Sequence, residues 1–195
     1  MNVIERVKGM MLGPQREWEV IERERDDVHL LVRYVAILAA IPAICGFIGY
    51  AIVGISIPQM GSLRIGYGPA LMSAVINYVM AFVSVYVVAL IADTLAPTFN
   101  AERGFPEALR LAAYSYTPVW LFGVFLLVPS VSFLRILELY GVYLLWLGLP
   151  PMMRAPEREN SRFLYCAAIL VTALILWYGV RYVISLLLRV SVWSM

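Results

Sequence analysis

Few residues of this chain are of a type and spacing that could do chemistry. Asp93, Glu102 and Glu107 fall close together in one polar break, and three carboxylates could hold a hard divalent cation through oxygen. The same residues also suit a charged loop that keeps itself in water. His29 is the only histidine, so a histidine-rich metal site is excluded and a histidine-dependent triad would hang on that one residue. No Gly-rich phosphate loop, Gly-x-Ser-x-Gly motif or two-histidine zinc helix occurs. The chain is therefore read as a non-enzyme, with no catalytic residues, no metal and no cofactor.

A second set of polar residues lies inside strongly apolar sequence, where polar side chains mark function by default. Asn77 sits in the run Ser73–Asn77–Ala81, whose four-residue spacing suits close helix contact and an interhelical hydrogen bond. Glu138 follows Arg135 by three residues, close enough on one helical face to form a local ion pair, or to serve a transporter as a proton carrier. Tyr114, Ser115, Tyr116 and Thr117 stand immediately before Pro118. The proline removes a backbone donor in mid-helix and leaves the carbonyl of Tyr114 without its usual partner, so a kink is expected there. The neighbouring hydroxyls could cover the freed group. Tyr140 and Tyr143 lie beside Gly141, and Gly141 and Gly148, seven apart, would let another helix approach closely. This kinked, polar set reads as a packing core in preference to the lining of a small cavity.

The elements that carry these residues are apolar runs. Leu31–Ile57, Pro69–Ala92, Ala108–Val128, Val131–Met153 and Arg162–Leu188 each reach the roughly 20 residues needed to cross a bilayer. Inside lipid only helices satisfy their own backbone, so the expected fold is all-α: a polytopic membrane protein built as a bundle of five transmembrane helices. Apolar residues make up 62% of the chain and charged ones 14%, against roughly 25% charged in soluble domains. A net charge of +2, dispersed along the chain, gives no reason to expect nucleic acid as a partner. Cys45 and Cys166 lie within apolar runs and read as small packing residues. No secretory signal peptide is visible in the first thirty residues.

Basic residues set the expected orientation. Arg6, Lys8, Arg16, Arg23, Arg25, Arg33, Arg103, Arg110, Arg154, Arg158 and Arg162 would share one side of five crossings, against Arg64, Arg135 and Arg189 on the other. The cytoplasmic side holds the excess, which places the N-terminus inside and the C-terminus outside the cell membrane.

Residues 1–30 form the expected cytosolic or interfacial region, and residues 31–195 the transmembrane unit. Val3, Ile4, Val7, Met10 and Met11 recur at helical spacing with Arg6 and Lys8 between them, the pattern of a helix in the headgroup layer whose cations reach anionic lipid. Gly13–Pro14 breaks it, and Pro14 suits the first turn of a second helix. That helix carries Arg16, Trp18, Ile21, Arg23 and Arg25, which read either as a solvated face anchored by one tryptophan or as a docking surface for a cytosolic protein. On the docking reading, residues before Val28 can be removed and the bundle still folds.

Several of these motifs together resemble the Yip-type membrane proteins, named in eukaryotes for interaction with Ypt/Rab GTPases. The resemblance rests on Phe99-Asn100-Ala101-Glu102-Arg103-Gly104-Phe105, Glu107-Ala108-Leu109 and Ala113-Tyr114-Ser115-Tyr116-Thr117-Pro118. It continues in Leu139-Tyr140-Gly141-Val142-Tyr143-Leu144-Leu145-Trp146-Leu147-Gly148-Leu149-Pro150, with Pro150-Pro151 expected to end that span. Pro14-x-x-x-Trp18-x-x-Ile21 looks like the N-terminal motif of prokaryotic members, which argues against a Rab partner. Where the family usually has Phe-Gly-Gly this chain has Phe99-Asn100-Ala101; Asn tolerates a left-handed turn, whereas Ala does so with strain. The resemblance implies a non-enzymatic integral membrane protein that organises membrane or binds partners. The alternative is an oligomeric small-solute or ion transporter or channel, with a homo-oligomer supplying the pathway that five helices alone scarcely provide.

Overall fold

The protein is described by a computed structural model that covers residues 2–24, 28–57, 61–64, 66–102, 104–156 and 159–193. Arg25, Arg103 and Arg158 lie outside the described residues. Helix dominates. Two short N-terminal helices, α1 (Val3–Leu12) and α2 (Pro14–Arg23), precede the long α3 (Val28–Ile48) and α4 (Tyr67–Leu95). Then come α5 (Phe105–Ser115), α6 (Thr117–Phe122), α7 (Tyr140–Met153) and α8 (Glu159–Trp193). Among the described residues three stretches are long and apolar enough to cross a membrane: Val28–Val53, Tyr67–Phe99 and Phe133–Met153.

The first apolar run departs from the expected uninterrupted helix. After Ile48 the backbone widens into a π turn over Gly49–Val53, and Gly54, at φ 84°, ends it. That angle is open to glycine at little cost and to few other residues. Beyond it Ile55–Ile57 (β1) pairs antiparallel with Gly61–Leu63 (β2), so the end of the run is a small hairpin and not helix. The third run is divided at Tyr116, and its far end, Gly123–Leu127, tightens to 3₁₀ geometry. The fourth begins as a 3₁₀ stretch, Pro129–Leu139, and becomes α-helical only at Tyr140. Pro150 and Pro151 do not end α7. The helix passes through both and stops at Arg154, which takes a left-handed conformation and donates its N–H back to the Leu149 carbonyl.

The core lies where α3, α4, α5, α7 and α8 meet, and it includes the N-terminal helices. Met10, Trp18 and Ile21 are buried in the same cluster as Tyr34, Leu111, Tyr114, Leu144, Leu149 and Ile169. Gly13 N–H bonds back to Gly9 and Glu17 N–H to Gly13, so α1 and α2 join without a long loop. Helices α1 and α2 are therefore packed into the bundle, where the sequence suggested a region separable from it. Their apolar side chains fill space that the spans leave open.

Glycine sets two of the close approaches. A Cβ at Gly148 would stand 2.6 Å from both Leu111 and the Trp18 ring, and one at Gly141 would stand 2.8 Å from the Ser115 carbonyl. Side-chain-free positions on α7 thus seat α5 and the tryptophan of α2, as the seven-residue spacing predicts.

Candidate functional site

The polar residues of the third run meet the N-terminal helices at a buried junction. Pro118 lacks the N–H that an unbroken helix would offer the Tyr114 carbonyl, and the Thr117 hydroxyl donates to that carbonyl at 2.7 Å. The Thr117 oxygen is also 2.7 Å from the Tyr34 hydroxyl on α3. An unmade hydrogen bond at a buried carbonyl costs about 1–3 kcal/mol, so this side-chain repair makes the kink tolerable inside the protein. The Tyr34 and Trp18 rings stand edge-on to the Tyr114 ring, at centroid distances of 5.0 and 6.3 Å.

Arg6 enters from the other side. Its side chain is only 4% exposed; it donates to Glu17 at 2.6 Å and to Glu24, and its guanidinium lies 5.6 Å from the centre of the Tyr114 ring. Burial works against its charge, but Tyr114, Glu24 and Glu17 more than offset that and raise its pKa above the ordinary arginine value. Two carboxylates and an aromatic face are what a buried guanidinium requires. Sequence reading placed Arg6 in the headgroup layer with Lys8. It missed the pairing because Glu17 and Glu24 belong to another part of the chain, 11 and 18 residues away.

Of the residues expected at a docking surface, Trp18 (1% exposed) and Ile21 (fully buried) pack the core and present no surface. Arg16 and Arg23 are exposed on the opposite face of α2, with Glu19 and Val20 between them. Of the intramembrane set, Tyr114, Thr117 and Pro118 are buried together and Tyr116 stacks on Trp120 at 5.7 Å. Tyr140 reaches the Met11 carbonyl at 3.5 Å and lies 5.5 Å from the Tyr143 ring, so these two border the junction along α7. Asn77 is elsewhere. It is exposed on α4 and donates to the Ser73 carbonyl of its own helix at 2.8 Å, in place of the interhelical bond expected of it. Glu138 pairs with Arg135, also apart from the junction.

The carboxylates of the polar break act separately. Asp93 accepts from the Gly104 N–H at 2.9 Å, and Glu102 pairs with Arg154 at 2.9 Å. Among the described residues no group of three or more His, Cys, Asp or Glu side chains is placed to hold a metal ion. Asn100 takes the left-handed position of this turn, at φ 55°, and Ala101 does not, so the strain expected at Ala101 does not arise. Tyr165 carried no signal in the sequence, yet it ties α8 to the same end: its hydroxyl donates to the Ala92 carbonyl at 2.6 Å and its ring stacks on Phe99. Cys45 and Cys166 are both free thiols.

The Yip1 domain pattern matches residues 8–180, which takes in both the Trp18 helix and the kinked third run. This chain belongs to the Yip1 family. It is 29% identical over 190 residues to the inner membrane protein YohC of Escherichia coli K12, across 90% of this chain and 97% of that protein. The same identity and coverage hold for the inner membrane protein YohC of E. coli O6:H1. No solved structure matches. The chain is thus a helical membrane protein of the Yip1 family, embedded in lipid, and a relative of inner membrane proteins.

Proposed function

We propose that this Yip1 family protein is a non-enzymatic membrane scaffold that crosses the bilayer five times and holds a cytosolic protein partner on the outer face of α2. The observation that carries the reading is the seat of α2. Trp18 and Ile21 anchor the helix in the core, which leaves Arg16, Glu19, Val20 and Arg23 on a surface of fixed orientation. Preorganised arginines beside an exposed apolar residue are favoured contact groups. The N-terminus is cytoplasmic and the C-terminus outside, on the excess of basic residues along one side. Beyond the three candidate spans, the remaining crossings are residues 105–127, where α5, α6 and a 3₁₀ turn run on, and α8.

The test is site-specific photocrosslinking in cells from position 20, compared with position 75 on the lipid-facing side of α4. A discrete protein adduct from position 20 that disappears with Arg16→Glu and Arg23→Glu supports the reading. No adduct from position 20, or one indifferent to both charge reversals, refutes it. Labelling of single cysteines at Ser161 and Ser194 from the same side of the membrane would overturn the five-crossing arrangement.

A second reading, an oligomeric transporter or channel, rests on Asn77, a polar side chain exposed midway along α4 that a neighbouring copy would cover. Proteoliposome flux that falls with Asn77→Leu and is unchanged by Arg16→Glu and Arg23→Glu would decide for it.

A further inference from the structure

The two cations of α1 have opposite surroundings. Arg6 points into the protein and is met by two carboxylates. Lys8 points out, on the same face as Ile4 and Leu12, which are 66% and 85% exposed, and it has no carboxylate partner among the described residues. Across from Ile4, on α3, Arg33 is likewise exposed and without a carboxylate partner among the described residues. Between α1 and α3 runs a groove of about 380 Å³ lined by Asn2, Val3, Ile4, Leu30, Arg33 and Ile37. Arg33 stands near the polar end of the Val28–Val53 span, and Ile37 lies one helical turn further into it.

Exposed Ile4 and Ile37 beside the exposed Arg33 match the chemistry of a phospholipid at the headgroup boundary. The phosphate suits the guanidinium, and the acyl chain suits the apolar walls. The exposed cations Arg33 and Lys8 select among lipids, because an anionic headgroup keeps its net charge against both, whereas the ammonium of a zwitterionic headgroup offsets its phosphate. We propose that the α1–α3 groove binds one anionic phospholipid, with its phosphate against Arg33, its acyl chain along Ile4, Leu30 and Ile37, and Lys8 adding to the attraction. The site is independent of the docking face, which lies on α2.

The experiment is native mass spectrometry of the full-length protein in detergent, with phosphatidylglycerol and phosphatidylcholine of identical chains added in competition. Each cation near a headgroup is worth roughly fivefold in affinity. One phosphatidylglycerol should therefore be retained at least about tenfold more tightly than phosphatidylcholine. Arg33→Gln with Lys8→Gln should bring the ratio to roughly one or two. Arg16→Gln with Arg23→Gln should leave the ratio unchanged, since these cations lie on another helix face.

An unchanged ratio in the first pair overturns the proposal, and so does an equal loss in the second pair, which would mean diffuse surface charge. Displacement of the lipid by glycerol phosphate at millimolar concentration would show a free-anion site and also overturn it. If the first pair fails to elute as a single folded species, the wild-type protein decides the matter by chemical protection. Protection of Arg33 from phenylglyoxal by phosphatidylglycerol and not by phosphatidylcholine supports the site, and equal protection refutes it.

Discussion

The two ends of the bundle are held by different means. From the end where α5 begins and α7 finishes up to the junction at Tyr114 and Thr117, side chains from different elements lock one another: Arg6 with Glu17 and Glu24, Tyr34 with Thr117, Tyr165 with Ala92, and Glu102 with Arg154. Asp93 also fixes the turn before α5 through Gly104. At the opposite end the backbone itself is irregular, with a π turn at Gly49–Val53, 3₁₀ stretches at Gly123–Leu127 and Pro129–Leu139, and a two-stranded hairpin. The ion pair there, Arg135 with Glu138, joins residues only three apart on one stretch and ties no two elements together. Short π and 3₁₀ pieces have poorer hydrogen-bond geometry than α-helix and mark places where the chain yields most readily. Rigidity, and with it the capacity to present a fixed surface, is concentrated at the end that carries α1 and α2.

That contrast is broken most severely at Trp18. Trp18→Ala empties the space between Leu111, Tyr114 and Gly148, and large-to-small changes at a buried aromatic cost about 3–5 kcal/mol. The expected result is a large fall in the melting temperature of the detergent-solubilised protein. Deleting residues 2–24 should be worse, and a truncated chain that kept the wild-type melting temperature would show that the N-terminal helices are mere additions. Next in size is Arg6→Met. It leaves Glu17 and Glu24 facing an apolar side chain. Removing one partner of a fully buried pair costs about 3–5 kcal/mol; here a loss of about 2 kcal/mol is expected, because Glu24 is 47% exposed and can turn to water. Restoring the cation as Arg6→Lys should recover only part of this, since a lysine cannot reach both carboxylates as a planar fork does.

How far the molecule was legible from its sequence follows the same division. The apolar runs announce themselves through length alone, because a bilayer imposes a minimum on any helix that crosses it. Pro118 and the hydroxyl beside it could be read together, since the lost donor and its replacement belong to adjacent residues. Asn100 was legible as a left-handed position for the same local reason. Trp18 and Arg6 were not. An amphipathic helix shows that it has an apolar face, but its period does not say whether lipid, a partner or its own bundle covers that face. The Arg6 pairs reach beyond its own helix, and no fixed spacing within one helix signals them. The far ends of the first and third runs and the start of the fourth are not legible, because a 3₁₀ or π stretch has the composition of an α-helix. The choice among them is made by packing, as where Gly49 lies against the Leu126 carbonyl and Gly123 against Pro42.

A smaller effect bears on the kink. Thr117→Val removes the hydroxyl from both the Tyr114 carbonyl and Tyr34, and should cost about 1–2 kcal/mol. Pro118→Ala restores a backbone N–H that can reach the same carbonyl. In the Pro118→Ala background the cost of Thr117→Val should therefore shrink, leaving mainly the loss at Tyr34. Melting temperatures of the two single variants and the double variant measure the coupling. Strict additivity would mean that the threonine does not compensate for the proline.

The smallest effect is expected at the opposite end, and it tests whether the contrast is real. Arg135 is 43% exposed, its partner Glu138 is three residues away on the same 3₁₀ stretch, and among the described residues no third charge joins the pair. Exposed pairs of this kind contribute about 0–1 kcal/mol, because two long side chains must be ordered to form them and water competes for both charges. Arg135→Gln should change the melting temperature by little more than the error of the measurement, about a tenth of the Trp18→Ala effect. Glu138→Gln should behave alike. If either change destabilised the protein as much as Arg6→Met, the irregular end would be as firmly locked as the other. The fixed seat of α2 would then no longer distinguish the end proposed for docking.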